Sequence, residues 1–428
     1  MKRTLQVLLI IGFIYSCSSS SGLFKKESPH EVYGKMLQDA GLDQTVLGQQ
    51  WFDAARRSIE QPVSISIPYK QVGYFSAEKP TAVGLKFSVQ RGQKLLFQFI
   101  QNPDTGFRLY ADLWKIQGNE NPKRVLFADT SKTNFSYEAE ESGDLILRLQ
   151  PELLASGDYK LNISVGPSLA FPVAGNSARV GSIWDDPRDG GSRRHEGIDI
   201  FDKKGTPVLA AADGRISRTG DGGIGGKVVW LRAANKPMSL YYAHLDKQLV
   251  EPGQRVKVGD TLGLMGNTGN ARTTPPHLHF GIYVMGGAID PLPFVDRKVK
   301  NGADPNLEIN KLGKFYRITS DLNTGDENLG RHSIVWAIAG DNKAFIASLP
   351  DKGIVKIARD IVQPIDNQLY AKRIKDSAVL FDQPATVAGI KIALAPETIV
   401  KVKGYYKNFA FVEAESGETG WIQEPFIK

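Results

Sequence analysis

Cysteine is nearly absent. Cys17 is the only one in 428 residues, so no internal disulfide can staple any part of the fold. Histidine is scarce too, with six in the chain. The apolar run from Val7 to Tyr15 falls far short of the roughly 20 residues that cross a bilayer, and no other segment could span one. Despite a net charge of +7, no block of five or more Lys or Arg occurs, which argues against nucleic acid as a partner. The mild basic excess suits anionic lipid or anionic wall polymers, although most of these charges read as ordinary solvated surface. The apolar and charged fractions, 41% and 23%, are those of globular protein and leave core enough for about two to four domains.

The start of the chain reads as an export signal. Lys2 and Arg3 precede the apolar run, as in a secretory leader. Ile14-Tyr15-Ser16-Cys17 then resembles a bacterial lipobox, with Tyr15 bulkier than the motif prefers. That resemblance implies cleavage before Cys17 and acylation of its thiol and new amino group, which would anchor the protein to a membrane. An ordinary signal peptide with a stray free thiol is the other reading. Residues 1–16 are therefore expected to be a lipoprotein signal peptide, and the protein to be exported and lipid-anchored. Ser18 directly after Cys17 fits the outer membrane, facing the periplasm.

The expected fold class is mainly β and multidomain. Residues 17–60 read as a Ser-rich tether followed by a helical segment, in which Leu47, Trp51, Ala55 and Ile59 recur at i+4. Trp51 and Phe52 read as packing residues. Residues 61–167 alternate in period two between turn signals, as in Val63-Ser64-Ile65-Ser66-Ile67 and Leu95-Leu96-Phe97-Gln98-Phe99. They are expected to form an antiparallel β-sandwich, jelly-roll-like and accessory. Residues 168–296 read as a compact antiparallel β domain with tight turns, since Gly181 to Gly287 holds 19 of the 43 glycines. Residues 297–366 read as a linker or extension, with a hairpin between Ile334–Ile338 and Lys343–Ala347. The last segment, 367–428, looks like an SH3-like barrel that closes on Gly420-Trp421-Ile422.

Four of the six histidines fall in the glycine-rich segment: His195, His244, His277 and His279. His195-Glu196-Gly197-Ile198-Asp199 sets a His and an Asp four apart, and a bent segment can converge both on one ion. Zinc accepts imidazole nitrogen and carboxylate oxygen at about 2.0–2.2 Å. Alone this spacing is common by chance. His277-Leu278-His279-Phe280 reads as a strand, so His277 and His279 share one face, about 7 Å apart, while Leu278 and Phe280 share the other. Taken alone, the pair could equally be solvent-facing on an edge strand. His244 ends the strand Ser239–His244, where one His among tyrosines is usually structural.

Joint occurrence changes these weights. The order H-x-x-x-D, then Tyr242-Ala243-His244-Leu245, then Pro276-His277-Leu278-His279-Phe280 resembles the zinc endopeptidases of the lysostaphin and LytM family. Gly205-Thr206-Pro207-Val208, Ala212-Asp213-Gly214, Gly225-Gly226-Lys227 and Val258-Gly259-Asp260-Thr261-Leu262-Gly263 agree with it. The resemblance covers about a quarter of the chain. It implies zinc held by His195, Asp199 and His279, with one position left open for water. It further implies His277 as general base and His244 as a group that orients the water or stabilises the oxyanion. Glu196 is not a family position. Some members that cut glycine bridges carry a Tyr a few residues before the first ligand; here none occurs between Tyr159 and Tyr241, which counts against a glycyl bridge as substrate. Peptidoglycan cross-links are the expected substrate. The rival is a non-catalytic wall-binding regulator that activates a separate amidase, as in relatives that have lost zinc ligands.

Overall fold

The computed structural model describes residues 26–101, 107–118, 120–130, 134–324 and 327–427. The signal segment and Cys17 lie outside the described residues. Strands hold 49% of the chain and helices 12%, in keeping with a mainly β class. Among the described residues no helix is long and apolar enough to cross a membrane.

The helical segment expected before residue 60 is two helices. Ser28 caps Pro29–Asp39 in a capping box with Glu31. Gly41, at φ 68°, then turns the chain into a short 3-10 turn before Thr45 caps Val46–Glu60. Trp51 is buried and its Nε1 donates to the Pro151 carbonyl at 2.9 Å, so the second helix is fastened to the sandwich. His30 is buried against this ring: the two stack at 4.6 Å, and His30 Nε2 lies 2.6 Å from Gln150 Oε1.

Two sheets pack face to face between residues 63 and 167. One orders Val83–Val89, Gly143–Pro151, Leu109–Gln117 and Glu120–Phe127, with Val63–Ser64 at its edge. The other orders Tyr69–Phe75, Gly157–Pro167, Gln93–Gln101 and Asn134–Glu138. Leu85, Leu113 and Leu147 of the first meet Leu95, Phe97 and Ile163 of the second in one core. The eight longer strands are shared between the two sheets in the order of a jelly roll, the consecutive strands Leu109–Gln117 and Glu120–Phe127 lying side by side in one of them.

Residues 297–366 do more than link. Ile334–Gly340 pairs with Ala344–Ser348 as a hairpin, and also with Tyr69–Phe75 of the sandwich, Val72 opposite Gly340. Ile338 and Ile346 enter the sandwich core. The C-terminal strands run Tyr370–Arg373, Ile399–Tyr406, Phe409–Ala414, Thr419–Gln423, Ala378–Phe381 and Ile390–Leu394 in sheet order. The two end strands are not paired with each other, so the closed barrel expected for 367–428 is not found among the described residues.

The central sheet positions the histidines. Its main path is Arg179–Ser182, Ile198–Phe201, His277–Val284, Met238–Gln248, Lys227–Ala233 and Gly214–Gly220, with a short strand beyond. Ile198, Ile200, Leu278, Phe280 and Ile282 are fully buried on one face. The alternate residues of the same strands face a groove.

Candidate active site

Register brings the site together. Ile198–Phe201 runs antiparallel to His277–Val284, so Asp199 lies opposite His279 and Phe201 opposite His277. On the other side of that strand, Ala243 lies opposite His279, which sets the next residue, His244, at the groove. His244 takes φ 63°, a left-handed value unusual for a side chain. Its amide donates to the Gly225 carbonyl at 2.8 Å, within a strand whose register shifts on both sides. The groove of about 430 Å3 is lined by residues between Ser182 and Tyr283, so neither the sandwich nor the C-terminal sheet contributes to it.

His195 Nε2, Asp199 Oδ1 and His279 Nδ1 form a nearly equilateral triangle with sides of 3.1, 3.0 and 3.0 Å. Ligands at about 2.0–2.1 Å around a tetrahedral zinc lie about 3.3 Å apart, so this donor set fits the ion in size and chemistry. Second contacts fix its orientation. His195 Nδ1 lies 2.8 Å from the Ile183 carbonyl. A carbonyl oxygen only accepts, so Nδ1 carries the proton and Nε2 keeps its lone pair for a metal. Arg188 donates to the outer oxygen of Asp199, Oδ2, at 2.7 Å, which leaves Oδ1 inside the triangle. Gly197 makes room for the third member: a Cβ there would sit 2.7 Å from His279 Cε1 and 2.7 Å from the Phe280 carbonyl.

The same tautomer logic holds for the other two rings. His277 Nδ1 lies 2.9 Å from the Pro275 carbonyl, and His244 Nδ1 lies 2.9 Å from the Thr268 carbonyl. Both rings therefore donate from Nδ1 and keep Nε2 as an acceptor in the neutral state. They meet edge to face at 4.9 Å, with His244 6.0 Å from His279. Trp230, Tyr241 and Tyr283 form an aromatic wall on the same groove, Trp230 packing 4.5 Å from Tyr241 and 5.1 Å from Tyr283.

Burial works to raise the Asp199 carboxyl. The close approach of the His195 and His279 rings outweighs it and holds the group well below the usual carboxylate range. Burial also pulls His244 down to about 4, with His277 and His279 adding to the effect. His279 is pushed down by burial against the pull of Asp199. Neutral imidazoles beside an ionised carboxylate are the protonation states a metal requires.

All five residues singled out in the sequence thus converge on one groove, while Glu196 sits exposed at its edge. Arg188 and the aromatic wall went unread. A Pro-Arg dipeptide on a short hairpin carries no spacing signal, and Trp230, Tyr241 and Tyr283 lie on three different strands or strand positions brought together only by the sheet.

The groove thus carries a His-Asp-His donor set that could hold a metal ion, with two further histidines beside it. Residues 193–291, about a quarter of the chain, match the model of peptidase family M23. An uncharacterized metalloprotease of Haemophilus influenzae is 41% identical over 179 residues, covering 42% of this chain and 35% of that protein. The peptidoglycan DD-endopeptidase ShyC of Vibrio cholerae is 39% identical over 100 residues, covering 23% of this chain and 22% of its own. A lipoprotein NlpD/LppB homolog of Pseudomonas aeruginosa is 39% identical over 138 residues, 30% of this chain and 44% of that one. The chain thus spans about a third of the length of the first of these relatives and under half of the others.

Proposed function

We propose that this protein is a zinc metalloendopeptidase that hydrolyses peptide cross-links of bacterial peptidoglycan. The observation that carries this reading is the donor triangle of His195, Asp199 and His279 beside two histidines whose Nδ1 atoms donate to backbone carbonyls, which leaves Nε2 as an acceptor. His195, Asp199 and His279 would hold the metal, which when bound supplies Lewis acidity at neutral pH. His277 takes the proton of the attacking water at Nε2 and returns it to the leaving amine. His244, an acceptor at Nε2 in its neutral form, orients that water; it could donate to an oxyanion only when protonated. Trp230, Tyr241 and Tyr283 offer an aromatic wall for the peptide chain. With no Tyr ahead of His195 back to Tyr159, stem-peptide cross-links suit the groove better than glycyl bridges.

The reading includes export, lipid anchoring through Cys17 at the outer membrane facing the periplasm, and a spacing or wall-binding role for the accessory sheets. The likeness to peptidoglycan-directed and lipoprotein relatives supports an extracytoplasmic setting. A non-catalytic regulator that activates a separate amidase draws on the lipoprotein relative alone, and it leaves the complete donor set and both extra histidines without a task. Incubation of zinc-loaded protein with isolated sacculi separates the two. Release of soluble peptide-containing fragments that a chelator abolishes supports the enzyme; full zinc occupancy without release supports the regulator.

A further inference from the structure

A second cavity, of about 420 Å3, lies where helix Val46–Glu60, the turn after strand Tyr69–Phe75, the 297–366 extension and the C-terminal sheet meet. It shares no lining residue with the zinc-type groove. Its size is that of a small-molecule site. One wall is aromatic: Phe315 meets Trp336 at 4.7 Å and Phe411 at 4.9 Å, and Phe411 meets Trp421 at 4.9 Å.

Lys79 stands over that wall. Its Nζ lies 3.6 Å from the centre of the Trp336 ring and 4.2 Å from that of Phe315. Among the described residues no carboxylate or carbonyl takes a hydrogen bond or ion pair from this Nζ. Ring faces attract an ammonium, but by less than its removal from water costs. Burial accordingly pulls Lys79 down to about 8. Four cations line the cavity, Arg57, Lys79, Lys352 and Lys391, against the carboxylates of Glu78 and Asp382. Lys391 is already engaged by Glu418 and the Thr419 carbonyl. Lys79 therefore lacks one anionic oxygen, in a space floored by aromatic rings.

We propose that this cavity binds the free carboxylate end of a short peptide with small apolar side chains, Lys79 meeting the charge and Trp336 and Phe315 the body. At the aromatic wall itself Lys79 is the one cation over the rings among the described residues, and a single ammonium there matches a monoanionic carboxylate better than a dianionic phosphate. The identity of the peptide rests on the peptidase reading, since cutting cross-links frees carboxylate ends; the chemistry of the cavity does not. The site would keep the protein on material bearing such ends while the groove works elsewhere on it.

Calorimetric titration of the full chain, stripped of metal so that the groove is silent, tests this with N-acetyl-alanyl-alanine and its C-terminal amide. The acid should bind and the amide bind at least about tenfold more weakly. Lys79→Met should weaken the acid by a similar factor and Lys79→Arg should restore it. Equal binding of acid and amide, no binding at about 10 mM, or unchanged binding to Lys79→Met would overturn the proposal. The acid-to-amide comparison uses the unaltered chain, so it stands even if a Lys79 variant misfolds. Because no metal is present, a negative titration leaves the peptidase reading intact, and inactivity on sacculi would leave a positive titration intact.

Discussion

Asp199 and His279 lie directly opposite each other on neighbouring antiparallel strands, with Asp199 Oδ1 3.0 Å from His279 Nδ1. A one-residue slip in that pairing would send one of the two into the apolar core. Ile200 and Leu278, both fully buried and paired with each other, hold the register. The hydrophobic face of the sheet thus sets the geometry of its polar face.

Two classes of variant should part company in metal content. Asp199→Ala and His279→Ala each remove a donor and should abolish stoichiometric zinc. His277→Ala should bind about one zinc yet lose roughly a hundredfold to ten-thousandfold in turnover. Metal analysis of the purified variants checks both. Zinc loss in His277→Ala would move that residue from proton transfer to ligation.

Arg188 should matter through Asp199. Its hydrogen bond to Oδ2 at 2.7 Å orients the carboxylate with Oδ1 inward. Arg188→Met should weaken zinc about tenfold to a hundredfold, read by competition with a chromogenic chelator, while the melting temperature changes little. An unchanged zinc affinity would make the contact incidental.

Gly197→Ala should disturb the metal site without replacing a ligand. The added Cβ would stand 2.7 Å from His279 Cε1 and from the Phe280 carbonyl, and backbone cannot step aside cheaply. A destabilisation of about 1–3 kcal/mol is expected, together with weaker zinc binding. Wild-type values in both measurements would show that the strand pair yields more easily than its packing implies.

His30 predicts a pH dependence of stability remote from the groove. Burial, then the nearby Arg148, hold its ring down to about 3, only partly offset by Gln150, against 6.5 when free. Below pH 6.5 the unfolded chain takes up a proton that the folded chain refuses. This contribution is therefore fully present above 6.5 and is lost as pH falls toward 3, by at most about 1.4 kcal/mol per pH unit. His30→Asn, which cannot titrate, should lose less melting temperature between pH 7 and pH 5 than wild type does. Equal losses would place the acid sensitivity elsewhere.

The site was legible because several short motifs, each weak alone, occur together in one order along the chain. H-x-x-x-D and H-x-H each lie within one short segment, and strand periodicity alone puts His277 and His279 on one face. What the sequence hid depends on distant partners. Pairing of Val72 with Gly340 joins segments far apart in the chain, and strand propensity says nothing about which strand is the neighbour. The same holds for Lys79 and Trp336, which meet only because the extension folds back. The split into two helices turned on Gly41, whose left-handed turn leaves the i+4 apolar pattern of the second helix intact.

The central claim is hydrolysis of peptidoglycan cross-links with His277 as the proton carrier. Mass analysis of muropeptides released from isolated sacculi by zinc-replete wild type and zinc-replete His277→Ala tests it most directly. Wild type should release fragments with newly freed amino and carboxyl ends at a peptide cross-link, and His277→Ala should release none at equal zinc content. Identical products from the two proteins would contradict the account.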